Sequence, residues 1–209
     1  MILVIAAMQS EVEILQSHLQ LKSSHPFKVY EGTYQDKELL LVISGVGKTN
    51  ASSALSHMLT LYPAIRQVIN LGIVGGHKVG LYDTFIVSEA TYHDVDLTVF
   101  NYDYGQIPKY PTIYYTDMQL LNKFNNFKHV RLYTGDVFST KPILDAPYIV
   151  DMEGASIFQV CHNFKYPVIS IKVVSDVLGD SNQIDAYKKS EAALADQLLE
   201  ALDIVLEVL

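Results

Sequence analysis

Short hydrophobic runs rich in β-branched residues alternate along the chain with longer stretches in which apolar residues recur every three or four positions. The short runs are typical of strands, and the longer stretches have the period of amphipathic helices. The predicted strands are residues 2–6, 27–34, 38–43, 67–71, 84–88, 130–133, 148–151 and 168–174. The predicted helices are residues 11–21, 49–61, 118–124, 154–163 and, as one long final helix, about 185–209. This alternation predicts a three-layer α/β fold, in which a mixed, mostly parallel sheet is flanked by helices.

Length and composition favour one globular domain that spans residues 1–209. The chain has 209 residues, of which 49% are hydrophobic and 18% charged, and this balance supports a sizeable core. No tract rich in serine, proline or glycine divides it. The longest apolar run, residues 1–8, is far shorter than the roughly 18 residues that cross a bilayer. We therefore expect no association with a membrane.

Charge and cysteine content exclude several classes of protein. The formal net charge is −8 and the basic residues do not cluster, which opposes binding to nucleic acid. The single cysteine, Cys161, excludes an intrachain disulfide framework and a Cys-based zinc motif, and it suits a reducing cytoplasm. The run from His93 to Asp96 matches neither a catalytic zinc spacing nor a calcium-binding loop. We therefore expect neither a metal nor another cofactor.

Carboxylates and glycines follow the ends of several predicted strands. Glu11, Glu153 and Asp176 lie just past three strands, and glycine clusters at residues 45–47 and 72–76 follow two others. The carboxyl ends of parallel strands share one edge of an open α/β sheet, where ligands bind. A single acid at a helix start most often serves only as a cap. Three acids at one edge, beside glycines that let backbone amides approach a ligand, favour a small-molecule site.

The longest predicted loop, residues 91–111, is rich in aromatic side chains. Tyr92, Phe100, Tyr102, Tyr104 and Tyr110 all lie in it. Long loops that expose aromatic residues often form subunit interfaces. Packing of these rings against the chain's own core explains the pattern equally well.

Six short motifs occur in order along nearly the whole chain. They are Ala7-Met8 with Glu11-Val12, Ser44-Gly45-Val46-Gly47-Lys48, Tyr92-His93-Asp94-Val95-Asp96, Tyr104-Gly105-Gln106-Ile107-Pro108, Asp151-Met152-Glu153-Gly154-Ala155 and Ser175-Asp176. Together they resemble the motifs of the bacterial 5′-methylthioadenosine/S-adenosylhomocysteine nucleosidases. The resemblance implies a nucleoside phosphorylase-like α/β fold with a twisted central sheet, and a homodimer. It also implies hydrolysis of the bond between adenine and ribose in thioether nucleosides.

The resemblance further implies roles for individual residues. Asp176 donates a proton to adenine N7, Glu11 acts as the base toward water, and Glu153 binds the ribose hydroxyls. Phe138 and the backbone of Ser139 hold adenine, and Val46 and Ile184 face the alkylthio group. The full set of implied substrate contacts is Val46, Gly75, Phe138, Ser139, Met152, Lys172, Ser175 and Ile184. The implied wall of the neighbouring subunit's pocket is Leu97, Phe100, Tyr102 and Pro108.

Three positions depart from the family's pattern. Ile73 stands in the place of a serine, and therefore removes a hydroxyl near the sugar. Lys172 stands where an arginine is expected, and it keeps the charge without the planar fork of a guanidinium. Gly154 stands where alanine is more common. Such changes are typical of altered substrate preference or of reduced activity.

Three alternatives to this nucleosidase stay open at the level of the sequence. A nucleoside phosphorylase on the same fold needs fixed positive charge for phosphate, but the two arginines, Arg66 and Arg131, lie outside the motifs. A futalosine hydrolase shares the fold and the reaction type. A nucleoside-binding protein without catalysis is consistent with Ile73 and Lys172, although it has no need for three carboxylates. Hydrolysis is therefore favoured.

Overall fold

The computed structural model describes residues 1–209, apart from the side chain of Ala192. The strands are β1 (Ile2–Ala6), β2 (Gln20–Ser23), β3 (Lys28–Tyr34), β4 (Lys37–Ile43), β5 (Gln67–His77), β6 (Thr84–Tyr92), β7 (Tyr114–Tyr115), β8 (Lys128–Thr134), β9 (Tyr148–Asp151) and β10 (Val168–Val177). The α-helices are α1 (Glu13–Ser17), α2 (Lys48–Leu61), α3 (Met118–Leu121), α4 (Gly154–Phe164), α5 (Gln183–Ala193) and α6 (Ala195–Val208). Short 3₁₀ helices cover Gln9–Glu11, Thr98–Phe100 and Asn122–Phe124.

All ten strands belong to one sheet, in the order β10-β6-β8-β9-β5-β1-β4-β3-β2, with β7 on β6. Because β10 also pairs with β5, strands β5, β9, β8, β6 and β10 close into a ring. The sheet is mixed, as predicted, and its ten pairings divide into five parallel and five antiparallel. The antiparallel pairings come from hairpins, from the short strand β7 on β6 and from the closure of the ring, none of which a simple alternation of strands and helices reveals.

Helices cover both faces of the sheet. Successive residues of β1 point to opposite faces, as the two-residue period of a strand requires. Leu3 and Ile5 pack with residues of α2 and α4 on one face, whereas Ile2 and Val4 pack with residues of α1 and α6 on the other. The predicted three-layer arrangement is therefore confirmed. Within the described residues, no helix is long and apolar enough to cross a membrane.

Several strands extend beyond their predicted ends. β5 continues six residues past Leu71, and β10 continues three residues past Val174. The glycine cluster at residues 72–76 therefore lies within a strand rather than in a loop. Gly75 and Gly76 pair with β9 on one side and β10 on the other, and a Cβ atom at Gly76 would approach Val79 and Val174 too closely. These glycines permit close packing of strands. Their position after a predicted strand did not distinguish this role from ligand binding.

The lengths of two predicted helices were wrong. The predicted helix 11–21 is divided among the 3₁₀ helix Gln9–Glu11, the short α1 and the edge strand β2. The predicted final helix divides into α5 and α6 at Leu194, which has φ −97° and ψ 0°. The two halves pack on different surfaces, since α6 covers the sheet with apolar residues whereas α5 contacts the end of β10 through hydrogen bonds. The strands β2 and β7 were missed because they are short edge strands.

Gly154 provides a test of packing at the start of α4. A Cβ atom at residue 154 would overlap the Cδ2 methyl group of the buried Leu132 and lie 2.8 Å from Asp151 Oδ2. We predict that Gly154→Ala lowers the free energy of unfolding by about 1–3 kcal/mol, as overpacking does. Urea denaturation measures this loss.

The control for this prediction is a double-mutant cycle with Leu132→Ala, which removes the overlapping methyl groups. We expect the double variant to lose less stability than the sum of the two single losses. If the losses in the free energy of unfolding were strictly additive, the overlap with Leu132 would not be the reason that residue 154 is a glycine.

Candidate active site

The carboxyl ends of β1, β5, β9 and β10 surround a cleft with about 560 Å³ of open space. The structure brings together in this cleft nine of the residues that the sequence singled out. They are Glu11, Val46, Gly75, Phe138, Ser139, Met152, Glu153, Ser175 and Asp176. Side chains from the beginning, middle and end of the chain therefore share one site.

Glu11 lies at the end of the 3₁₀ helix that follows β1 and is only 3% exposed. Its two carboxylate oxygens accept hydrogen bonds from the backbone amides of Met8 and Ile73, each at 2.9 Å. Burial raises the pKa of Glu11, although the positive charge of Lys172 and the two amides oppose this shift. Because Ile73 holds Glu11 through its backbone, the absence of a serine side chain leaves this contact in place.

Glu153 follows β9 and is 8% exposed. Its Oε1 accepts a hydrogen bond of 2.7 Å from the amide of Gly47. The loop can present this amide because Gly47 has a φ of 102°, which residues with a Cβ rarely adopt. Burial, together with the negative charge of Asp151, raises the pKa of Glu153 to about 7.

Asp176 lies near the end of β10 and is 1% exposed. The register between β10 and β5 shifts between Val174 and Asp176, and such a bulge redirects side chains. The Ser175 hydroxyl donates to Asp176 Oδ1 at 2.6 Å, and the side-chain amide of Gln183 donates to Asp176 Oδ2 at 2.8 Å. Gly75 leaves room for this carboxyl, since a Cβ atom there would lie 3.2 Å from Asp176 Oδ2.

Lys172 does not line the cleft, in contrast to its predicted role as a substrate contact. It is 1% exposed, and its Nζ forms an ion pair of 3.0 Å with Asp151 Oδ2. Burial disfavours the charge on Lys172, but the negative charges of Asp151, Glu153 and Glu11 outweigh this effect and raise its pKa. The lysine thus neutralises charge from behind the cleft wall.

Asp151 is a site residue to which the sequence analysis gave no role. It lines the cleft, accepts a hydrogen bond of 2.6 Å from the Thr134 hydroxyl and accepts another of 3.0 Å from the amide of Gly154. These contacts fix the turn that carries Glu153 into the site and begins α4. Its position at the end of a buried strand, two residues before a second acid, was a signal of this role.

Ile184 is 54% exposed and is not among the described residues that line the cleft, so its predicted contact with the alkylthio group is not seen here. The inner face of α5 carries Gln183, Tyr187 and Ser190, at spacings of four and three residues. Position 184 consequently points outward. Tyr187, which the sequence analysis missed, lines the cleft instead of Ile184. The centroids of the Tyr187 and Phe138 rings are 5.3 Å apart.

The loop residues Leu97, Phe100, Tyr102 and Pro108 are also absent from the described lining of this cleft. Phe100 is 68% exposed, as is expected of a side chain that serves another subunit. Their role in a partner's pocket stays a prediction.

Comparison with known proteins places the chain in a family. A family model described as the phosphorylase superfamily matches residues 1–207. A 5′-methylthioadenosine/S-adenosylhomocysteine nucleosidase from Bacillus velezensis is 33% identical over 97% of this chain and 96% of its own length. The chain belongs to the family of bacterial 5′-methylthioadenosine/S-adenosylhomocysteine nucleosidases.

Solved structures of this nucleosidase family have the same fold. A putative nucleosidase from Borrelia burgdorferi, bound to adenine, has a TM-score of 0.91 and 29% identity, with 100% of both chains covered. The nucleosidase from Neisseria meningitidis, in complex with methylthio-immucillin-A, has a TM-score of 0.88 and 28% identity, with 100% of this chain and 99% of that chain covered. The predicted nucleoside phosphorylase-like fold and the predicted family are confirmed.

Lys172 provides a test of the buried charges. We predict that Lys172→Met lowers the free energy of unfolding by about 3–5 kcal/mol, because the carboxylate of Asp151 is left buried without its partner. We expect Lys172→Met combined with Asp151→Asn to lose less stability than Lys172→Met alone. Denaturation at pH 7 measures both effects, and an unchanged stability of Lys172→Met would contradict the ion pair's importance.

The raised pKa of Glu153 predicts a pH dependence of stability. Between the ordinary glutamate pKa of 4.5 and the folded value of about 7, the folded protein keeps a proton that the unfolded chain has lost. The free energy of unfolding contributed by this group therefore falls as the pH rises through that range. We expect Glu153→Gln, which keeps an acceptor for Gly47, to show a weaker fall in melting temperature from pH 5 to 7. Equal slopes in the variant and the wild type would refute the assignment.

Proposed function

We propose that this protein hydrolyses the N-glycosidic bond of 5′-methylthioadenosine and S-adenosylhomocysteine and releases adenine. The observation that carries the proposal is the convergence of Glu11, Glu153 and Asp176 on one cleft, in a chain that belongs to this nucleosidase family. The resemblance to this family implies a role for each of these three groups, and their positions and environments support those roles.

Cleavage of the bond requires a proton for the departing base. The purine accumulates negative charge as the bond breaks, and a positioned acid lowers this barrier. Asp176 lines the same cleft as Phe138 and Ser139, the residues implied to hold adenine, and the side chain of Gln183 donates hydrogen bonds to both Asp176 and Ser139. We assign Asp176 as the group that delivers a proton to adenine N7.

The sugar develops positive charge in the same step, and a water molecule must attack it. Glu11, which burial makes a stronger base than a free glutamate, is assigned as the base that takes a proton from this water. Glu153 is held by Gly47 with one oxygen, and its carboxyl is assigned to bind the ribose hydroxyls. The ionised carboxylate of Glu11 faces the site, and no arginine or lysine is among the described residues that line the cleft, so the site favours a cationic sugar.

The same charge distribution favours water over phosphate as the nucleophile. Among the described residues that line the cleft, none is arginine or lysine. Lys172 is already paired with Asp151 and is buried behind it. A phosphate group would approach several carboxyl groups without the fixed cations that such sites use. Hydrolysis is therefore preferred over phosphorolysis.

The walls of the cleft fit an apolar 5′ substituent. Met8, Val46, Phe138 and Tyr187 line it, and the Tyr187 hydroxyl lies 3.7 Å from Met8 Sδ. Val46 and Phe138, at the mouth of the cleft, are 45% and 42% exposed. A single subunit therefore leaves this end of the cleft open to solvent.

We propose that the active form is a homodimer, in which the loop that contains Phe100 covers the partner's cleft. The exposed apolar side chains of Val99, Phe100 and Tyr104 support this proposal, since a monomer rarely leaves such a group in water.

The catalytic roles predict large losses of turnover. We expect Glu11→Gln and Asp176→Asn each to lower kcat by about a hundred- to ten-thousandfold, the usual value of a positioned proton transfer. Glu13→Gln is the matched control, because Glu13 is an exposed acid at the start of α1, two residues after Glu11. Release of adenine from 5′-methylthioadenosine, followed with and without phosphate, measures these effects.

Retained turnover in either variant would remove that residue's role. Adenine release that requires phosphate would identify a phosphorylase instead. Tight binding of the nucleoside without any release of adenine would indicate a binding protein.

A further inference from the structure

One side-chain amide connects two walls of the cleft from behind. Gln183, the first residue of α5, is 4% exposed and is not among the described residues that line the cleft. Its Nε2 donates to Asp176 Oδ2 and to the carbonyl oxygen of Ser139, both at 2.8 Å. Its Oε1 accepts a hydrogen bond of 3.2 Å from the amide of Gly179. The amide thus uses both of its N–H donors on groups that line the site.

The orientation of this amide follows from its partners. Reversal of the amide would place Oε1 against two acceptors and the NH₂ group against a donor. Because Ser175 holds Oδ1 of Asp176 while Gln183 holds Oδ2, the plane of the carboxyl group is fixed at both oxygens. Each oxygen retains a second lone-pair position, and one of these carries the proton that the carboxyl group donates to the purine.

We propose that Gln183 is a positioning residue, which sets the orientation of the Asp176 carboxyl and its distance from the adenine-binding segment at Ser139. This inference rests on the proposed function, in which the base lies between these two groups. A glutamine suits the position because its amide has two donors for two acceptors. Asparagine is shorter by one methylene group, and glutamate presents oxygens to both acceptors.

The first test removes the hydrogen bonds and keeps the volume. We expect Gln183→Met to lower kcat for 5′-methylthioadenosine about ten- to a hundredfold, because a proton donor displaced by about 1 Å loses this much. Adenine should also bind more weakly, as measured by calorimetry. Lys189→Met is the matched control, since it places the same side chain at an exposed position of α5, and it should behave as the wild type.

The second test uses Gln183→Glu, which keeps the shape and length of the side chain should Gln183→Met fail to fold. The introduced carboxyl group donates one hydrogen bond when it is protonated, whereas in its ionised form it donates none and repels Asp176. We therefore expect the ratio of the kcat of Gln183→Glu to that of the wild type to rise as the pH falls. The corresponding ratio for Gln183→Met should depend on pH less steeply, because methionine introduces no titratable group.

The outcomes separate this inference from the proposed function. Gln183→Met with a kcat and an adenine affinity within twofold of Lys189→Met would overturn the inference. A structural role would also overturn the inference. It would be indicated if the kcat of Gln183→Met and of Gln183→Glu fell by amounts that do not depend on pH and that follow the melting temperatures of the two variants. If the wild type binds adenine but releases none from a nucleoside, the proposed function fails, and the adenine affinities still decide the role of Gln183. If the wild type neither releases nor binds adenine, both fail.

Discussion

The site depends on the burial of four carboxyl groups around a single buried ammonium group. Asp151 is paired with Lys172, whereas Glu11, Glu153 and Asp176 are each held by backbone amides or neutral side chains. Hydrogen bonds from neutral donors stabilise a carboxylate without cancelling its charge. In the proposed reaction, Asp176 carries the proton for the base and Glu153 is partly protonated near pH 7, so the negative charge beside the sugar resides mainly on Glu11. Water would otherwise screen this charge. The rest of the fold must supply the donors and exclude water.

The closed ring of strands meets this requirement. β5 pairs with both β9 and β10, so that strand ends carrying Gly75, Glu153 and Asp176 are drawn to one place. Gly75 in β5 leaves space for the Asp176 carboxyl group, and a positive φ at Gly47 turns an amide toward Glu153. The departures from the family's pattern are compatible with this design. Ile73 keeps its backbone contact with Glu11, and Lys172 keeps the positive charge behind Asp151.

Much of the fold was predictable from the sequence, because buried strands and amphipathic helices have a local hydrophobic period. The predicted bounds of β1 and β9 match the structure, since both are short buried apolar runs. The three carboxylates were predictable from their positions after strands. Gln183 and Tyr187 were not, because the inner face of α5 is largely polar and has no apolar stripe to mark it. Ring closure and the break at Leu194 depend on contacts between distant segments, which no local pattern records.

We expect the cleft to stabilise positive charge on the sugar. The direct measurement compares the dissociation constants of two adenosine-like inhibitors of the same shape, one with a protonated nitrogen in the sugar ring and one with a neutral ring. Transition-state analogues typically bind at least about a hundredfold more tightly than ground-state ligands. We expect a preference of that size for the cationic inhibitor, and equal affinities for the two compounds would show that the cleft does not stabilise a cationic sugar.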